Sequence, residues 1–370
     1  PLIYFASGYF KLPCAMITAS HNSRDYNGIK FLRKNAESIG EKTGLEDIKT
    51  RVKNNNFIKN NGGRKKIKNI YRLYKDYVLS FIDLKNLRNI RVVIDAGNGM
   101  ASKIVPLIFD ALPINYIKQD FSLNGRFPNY RYSSEMDKSF SHLGKRVIKE
   151  KADFGMYFDP DMDRIFIVDE KGNPVNSSHI AALLIDTLFY RKKIVYSSVC
   201  SKIVEEIIKL NKGIPLIEKV GHSFIKNRMK KSRSYFGCEH SGHYYYKKNF
   251  YADSGIITSL YICEIFSRKL SPISHIIKKY QKYFQISEKS FSFKNIDNSE
   301  IIINKIKNYY TQKYRVKIDN SDGMKIIHHN FWISFRKSGT EPVIRFNMEG
   351  NSSDILNKEY KNVSKFIKNL

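Results

Sequence analysis

The 370-residue chain is expected to be an α/β protein, with consecutive α/β units followed by a C-terminal α+β domain. Three observations carry this expectation. The apolar run Arg91-Val92-Val93-Ile94-Asp95 is a strand that leads through Ala96-Gly97-Asn98-Gly99 into a helix. From Ile180 to Met229 the pattern alternates: a helix, strand Ile194 to Tyr196, helix Lys202 to Leu210, strand Leu216 to Val220, helix Ser223 to Met229. Beyond about residue 286 the order changes to helix Glu300 to Tyr309, strands Met324 to His328, Phe331 to Arg336 and Val343 to Met348, and a last helix.

Taken in order, the chain opens on Pro1 in strand-like sequence. Ala15-Met16-Ile17 reads as a strand, and Thr18-Ala19-Ser20-His21-Asn22 as a tight hydroxyl-rich loop holding Ser20 outward. Asn27-Gly28 then turns into a second strand, Ile29-Lys30-Phe31-Leu32, which returns Lys30 beneath the loop. Leu45 to Val52 is a short helix, and residues 53 to 68 are a Lys/Asn/Gly loop or linker. Tyr71 to Ile82 puts Leu73, Tyr74, Tyr77, Val78, Phe81 and Ile82 on one helical face. The glycines after Asp95 do not match a dinucleotide fingerprint, which argues against a nucleotide there.

Composition narrows the function. With 42% hydrophobic residues the chain can bury a sizeable core, and Lys+Arg 64 against Asp+Glu 35 gives +29, a charge that attracts anions. The basic residues are scattered among Ile, Asn and Tyr, with no arginine-rich tail, so phosphorylated metabolites are favoured over nucleic acid or membrane. Cys14, Cys200, Cys238 and Cys263 lack metal-ligand spacing, which fits a reducing compartment. The longest apolar run, Ile180 to Ile185, is too short to span a bilayer.

Four segments carry chemistry. An unassisted Ser20 is a poor nucleophile, and read alone its loop is a polar turn. In Asp159-Pro160-Asp161-Met162-Asp163-Arg164, between two apolar runs, three alternating carboxylates converge, and a hard divalent cation, Mg²⁺, relieves their repulsion. Glu170 falls at the twelfth position of a calcium loop, but Arg164 stands where that loop needs glycine. In Gly237-Cys238-Glu239-His240-Ser241-Gly242-His243, Glu239 and Ser241 can bind vicinal sugar hydroxyls, and upstream His222 follows a strand end where it could move a proton or merely cap a helix. In Arg336-Lys337-Ser338-Gly339-Thr340-Glu341-Pro342, an arginine, two hydroxyls and loop amides suit a phosphate dianion, without the ending of a P-loop.

Together these segments, in this order, resemble the α-D-phosphohexomutase superfamily, most closely bacterial phosphomannomutase/phosphoglucomutase, across essentially the whole chain. Phe250 to Ile257 adds to the match. The resemblance implies phosphohexomutase-type domains around a central cleft: residues 1–66 with the phosphoserine loop, 67–173 with the metal loop, 174–285 with the sugar loop and 286–370 with the phosphate loop. It also implies that the first domain is incomplete, its arginine-bearing loop lying upstream of Pro1. Ser20 would be the phosphoserine, with Mg²⁺ held by Ser20, Asp159, Asp161 and Asp163. Lys30 and His222 or His243 would transfer protons, His21 and Arg164 would support the phosphoserine, and Glu239 and Ser241 would hold the sugar. Arg336, Ser338, Gly339 and Thr340 would grip the unreacting phosphate.

The implied reaction exchanges hexose 1-phosphate and 6-phosphate, of mannose or glucose, through a hexose 1,6-bisphosphate intermediate. The expected setting is cytoplasmic, as monomer or homodimer, with no nucleic-acid or membrane partner. Two alternatives stay open: a phosphoglucosamine mutase, since His240 stands where that discrimination is made, or a non-catalytic homologue that binds sugar phosphates. The chain departs from the family pattern at Ser23, Pro160, Cys238, Tyr130 and Tyr132, and at Val199, where the pattern has a substrate-contacting lysine.

Overall fold

A computed structural model describes all residues except 21–24, 41–42, 59–61, 129–135, 293–295, 338–342 and 369–370. The described residues form four sheets, each with its own helices. In the first, α1 (Leu2–Phe10) precedes β1 (Cys14–Ile17), β2 (Ile29–Arg33) and β3 (Glu37–Ser38), an antiparallel set followed by α2 (Leu45–Lys53).

The strand-like opening is therefore a helix. Its two flanks have different partners: Phe5 packs on Tyr74 and Tyr77, while Ile3 and Tyr4 pack with Leu32, Ala36 and Ala252. Helical spacing serves both flanks, and tertiary packing overrides the β preference of the aromatic residues. Lys11, left-handed at φ 55°, ends the helix.

The second unit contains α3 (Tyr71–Leu79), β4 (Ile90–Asp95), α4 (Ala101–Phe109), β5 (Ile114–Gln119), α5 (Met136–Lys149), β6 (Phe154–Phe158), β7 (Ile165–Val168) and β8 (Pro174–Val175). Its order is β5-β4-β6-β7-β8, parallel at β5/β4/β6 and antiparallel beyond. Strands β4 and β6 are apolar on both faces and almost wholly buried, as helix-covered parallel strands must be.

The third unit contains α6 (Ser177–Leu188), β9 (Lys193–Ser197), α7 (Lys202–Leu210), β10 (Ile214–Glu218), α8 (His222–Ser232), β11 (Phe236–Cys238), β12 (Tyr244–Tyr246), β13 (Ala252–Asp253), α9 (Gly255–Lys269) and α10 (Ile273–Lys278). Its order, β10-β9-β11-β12-β13, repeats the second sheet strand for strand, with the same parallel and antiparallel pairings. The sequence carries no visible repeat, because each fold constrains only which positions are apolar. In both units the chemistry-bearing loop joins the third strand of the sheet order to the fourth: residues 159–164 between β6 and β7, and residues 239–243 between β11 and β12. One continuous apolar core runs through both units.

The last sheet is wholly antiparallel, β14-β18-β17-β16-β15: β14 (Phe284–Ser292), then α11 (Ile296–Lys313), β15 (Lys317–Asp319), β16 (Met324–Ile327), β17 (Phe331–Lys337), β18 (Val343–Gly350) and α12 (Ser353–Lys368). It has a separate core around Ile306, Tyr310, Ile333 and Phe346. The expected order of this domain lacks β14 and β15, and pairing moves two expected limits: β8 ties Val175 to the second sheet, and β14 brings Phe284 into the fourth. Among the described residues no helix is long and apolar enough to cross a membrane.

Candidate active site

Ser20 and the aspartate loop, 141 residues apart in sequence, meet: Ser20 Oγ donates to Asp161 Oδ2 at 2.5 Å. Ser20 sits at φ 55°, a strained conformation for a side chain, and its N–H donates to Thr18 Oγ1 at 2.8 Å. From the paired strand β2, Lys30 Nζ donates to Asp163 Oδ2 at 3.0 Å and Asp161 Oδ2 at 3.3 Å. Burial works against the Lys30 charge, but Asp163 and Asp161 outweigh it and hold the ammonium above the usual lysine range. Between these carboxylates it stands as a cation beside the serine.

The loop itself is built for close approach. Gly99, at the end of the β4–α4 turn, lies so near Pro160 that a Cβ there would come within 2.5 Å of its backbone, and Met100 N–H donates to Pro160 O at 2.8 Å. That contact, rather than a nucleotide, accounts for the Ala-Gly-Asn-Gly turn. Gly255, at the start of α9, packs on the Met162 and Arg164 carbonyls, where a Cβ would come within 2.9 Å. Asp159 is buried and closed by Arg164, whose Nε donates to Oδ2 at 2.6 Å. Glu170 points away to Ser274, so no calcium-type loop forms.

The residues fit a divalent cation on one specific ground. Among the described residues Asp161 Oδ1 is buried with no hydrogen-bond partner, an orphaned acceptor in a loop with two further carboxylates; the Lys30 ammonium faces Asp161 and Asp163, the Pro1 amino group lies 3.2 Å from Asp163, and Asp159 pairs with Arg164. The three aspartates are not yet gathered around a point. Among the described residues, the set of three whose ligand atoms all lie within 4.8 Å of one another is Asp95, Asp120 and His142, at the carboxyl ends of β4 and β5, the sheet edge from which the aspartate loop leaves β6.

The loops of the second and third units touch directly. Arg164 and His243 form an isolated antiparallel bridge, and Ile165 N–H donates to Gly242 O at 3.2 Å. His243 Nδ1 lies 2.9 Å from Ser241 Oγ, and its ring sits 3.7 Å from Glu239 Oε2 and 3.9 Å from Asp253 Oδ2. Glu239 differs from the expected open acceptor. It is buried, with its oxygens taken by Gly221 N–H at 2.8 Å and Tyr245 Oη at 2.5 Å, so it fixes the loop that begins α8. His222, first in that helix, stays exposed to water. Its imidazole is pushed below the usual range by surrounding protein and by the Lys226 and Lys30 charges, a shift that water moderates.

The fourth domain joins through Asp322, whose Oδ2 accepts Val220 N–H at 3.1 Å and Ser198 Oγ at 2.5 Å. Asp322, Gly323, Arg336 and Lys337 line one pocket. Arg336 Nη2 donates to Glu288 Oε2 at 2.7 Å and Asn347 Oδ1 at 3.2 Å, while its buried Nε has no partner among the described residues. Val199 is buried at 2% exposure, an apolar residue where the resemblance expects a lysine, whereas Lys202 turns into α7 and gives its backbone N–H to Glu349. Lys226 is buried and Lys325 half-buried; nothing in their helical or strand spacing marks either in the sequence. His21, Ser338, Gly339 and Thr340 lie outside the described residues, as do Ser23, Tyr130 and Tyr132.

Comparison with known proteins agrees with this architecture. The phosphoglucomutase/phosphomannomutase α/β/α domain I matches residues 1–59, domain II residues 72–172 and domain III residues 176–283. A phosphomannomutase of Escherichia coli K12 is 32% identical over 94% of this chain and 78% of its own length, and one from Vibrio cholerae is 30% identical over 100% and 81%. A crystal structure of a phosphoglucomutase/phosphomannomutase family protein from Burkholderia thailandensis superposes with TM-score 0.83 at 23% identity, covering 96% of this chain and 76% of that one. On its three matched domains and its curated relatives, the chain belongs to the phosphoglucomutase/phosphomannomutase family.

Proposed function

We propose that the protein is a hexose phosphate mutase that interconverts the 1- and 6-phosphates of mannose or glucose through phosphorylated Ser20 and a hexose 1,6-bisphosphate. The hydrogen bond from Ser20 to Asp161 carries this reading, since it puts a hydroxyl from the amino-terminal hairpin against the carboxylate with an orphaned oxygen. In the first half-reaction the bond from phosphorus to Ser20 Oγ breaks and one to the free sugar hydroxyl oxygen forms; the sugar proton goes to a neutral base, and the serine oxygen is stabilised as it leaves. In the second, the phosphorus–oxygen bond at the other position of the bisphosphate breaks, the phosphoryl group returns to Ser20 Oγ, and the base gives its proton to the departing sugar oxygen. His222 suits the base, being exposed and held below the usual imidazole range. Lys30, a cation held between Asp161 and Asp163, suits the phosphoryl oxygens and the leaving serine oxygen.

Asp159, Asp161 and Asp163, with Ser20, would hold Mg²⁺, which when bound supplies charge neutralisation of the phosphoryl group. Ser241 and His243 face the sugar, and Arg336 with the loop after it takes the distal phosphate. The reading divides the chain at 1–66, 67–175, 176–283 and 284–370, adjusted for β8 and β14. Phosphosugar substrates and unpaired cysteines support a cytoplasmic setting.

Incubation with phosphorus-labelled glucose 1,6-bisphosphate tests the reading. The label is expected on Ser20 and absent from Ser20→Ala, with coupled turnover of mannose 1-phosphate or glucose 1-phosphate lost in the variant. A Ser20→Ala protein with full turnover would overturn it. Buried Val199 gives a second reading, a sugar-phosphate binder without turnover. Normal substrate binding without any labelling of Ser20 selects that one.

A further inference from the structure

A buried lysine unused by the chemistry above stands between two of the loops. Lys226, one turn after His222 on α8, is only 2% exposed. A buried ammonium is costly unless its protons find acceptors. Its Nζ donates to Ser38 Oγ at 2.9 Å and to Ala36 O at 3.3 Å, and it lies 4.2 Å over the Tyr4 ring. All three partners belong to the amino-terminal hairpin and its helix, so the tie crosses from the third sheet to the first.

The turn it grips is strained. Asn35 and Ala36 adopt φ of 62° and 56°, and a left-handed non-glycine residue costs roughly 1–2 kcal/mol. Such a turn persists only if its surroundings hold it. Ser7 Oγ accepts Ala36 N–H at 3.0 Å on one side, and Lys226 takes the Ala36 carbonyl on the other. Strand β2, which ends at this turn, carries Lys30 toward Asp161 and Asp163. Burial lowers the Lys226 pKa to about 8, and Asp253 and Asp163 help to retain its charge against Lys230 and Lys30.

We propose that Lys226 is a positioning residue for phosphoryl transfer: its ammonium locks the β2–β3 turn to α8, fixing the hairpin that bears Ser20 and Lys30 against the helix that presents His222. The kinetic part of this inference rests on the mutase reading, and the tie itself does not.

Lys226→Met keeps the apolar stem and removes the charge. Misplacing reacting groups by about an ångström costs on the order of 10²-fold, so kcat is expected to fall about 30-fold or more with KM within about threefold. Amide hydrogen exchange over residues 29–38 is expected to quicken about tenfold or more while β16 to β18 stay unchanged. Lys226→Arg should recover part of kcat. An unchanged kcat overturns the proposal, whether or not exchange quickens, since a purely structural tie would loosen the hairpin and spare the rate per folded molecule. Should the parent lack turnover, the mutase reading fails instead, and unchanged exchange in Lys226→Met would overturn the tie. If the Met variant does not fold, Ser38→Ala removes one acceptor. A several-fold fall in its kcat at constant KM is expected, and no fall overturns the proposal.

Discussion

Arg164 closes both oxygens of Asp159, its Nε donating to Oδ2 at 2.6 Å and its backbone N–H to Oδ1 at 3.0 Å. Both residues are buried. Burial pushes the Asp159 carboxyl up to about 7, and the guanidinium acts in the opposite direction. Removing one partner of a buried pair leaves the other charge uncompensated, typically at a cost of ~3–5 kcal/mol. Arg164→Met is therefore expected to lower stability by that amount at neutral pH, measured by urea unfolding in the presence of a chelator. A loss below ~1 kcal/mol would mean that Asp159 takes up a proton or meets water once the guanidinium is gone.

Asp161 divides its oxygens differently. Oδ2 accepts from Ser20 and Lys30, and Oδ1 is buried without a partner among the described residues. An unsatisfied buried acceptor costs about 1–3 kcal/mol, a cost that a bound cation would remove. Asp161→Asn is expected to match or exceed the parent in chelator by up to ~1 kcal/mol, and to lack the rise in melting temperature expected of the parent when magnesium is added. Magnesium affinity should fall at least about 10–100-fold. A variant stabilised by magnesium as strongly as the parent would place the cation elsewhere.

The α/β alternation was readable because parallel strands are apolar on both faces and their helices on one. Strand Ile90–Asp95 and helix Lys202–Leu210 illustrate both patterns. The aspartate loop was readable for a different reason, since three alternating carboxylates between apolar runs have few structural uses. The α1 helix was not, because Ile3, Tyr4 and Phe5 form β-favouring sequence whose helical form depends on partners up to 249 residues away, such as Ala252 with Ile3. The sequence suggested Glu239 as an open acceptor, and its occupied state was not legible. Its partners, Gly221 and Tyr245, follow from how β11 and β12 pair and where α8 starts. Lys226 left no trace at all, for a lysine in a lysine-rich helix looks like a solvated one.

Asp95 provides a pH test outside the magnesium loop. Its buried carboxyl accepts Gly97 N–H at 2.8 Å and Gln119 Nε2 at 2.7 Å. Burial dominates those bonds and raises its pKa from 3.8 to about 7. Because the folded value lies above the unfolded one, the folded state binds the extra proton between them. The stabilisation is fully present below about pH 4 and is lost as pH rises through about 7. Asp95→Asn keeps the shape and removes the titration, with Gln119 turning its amide to accept. The parent should lose roughly 2–4 kcal/mol more than the variant between about pH 4 and pH 8, read from urea midpoints. Parallel pH profiles for the two proteins would assign any slope to other groups.

Arg336 tests the distal phosphate grip. Its Nη2 is shared between Glu288 and Asn347, and Glu288 also accepts from Arg345 Nη1 at 2.9 Å, so the guanidinium plane is fixed before any ligand arrives. The buried Nε remains a donor without an acceptor, and Lys337 lines the same pocket. A planar fork held this way suits two phosphate oxygens at once, whereas a lysine offers a point charge. Arg336→Lys keeps the charge and loses the fork. If Arg336 holds the phosphate that is not transferred, as proposed, the KM for a hexose monophosphate should rise about 10-fold or more with kcat within about threefold. A fall in kcat at constant KM would instead put Arg336 on the transferring phosphate and reverse the roles assigned to the two ends of the cleft.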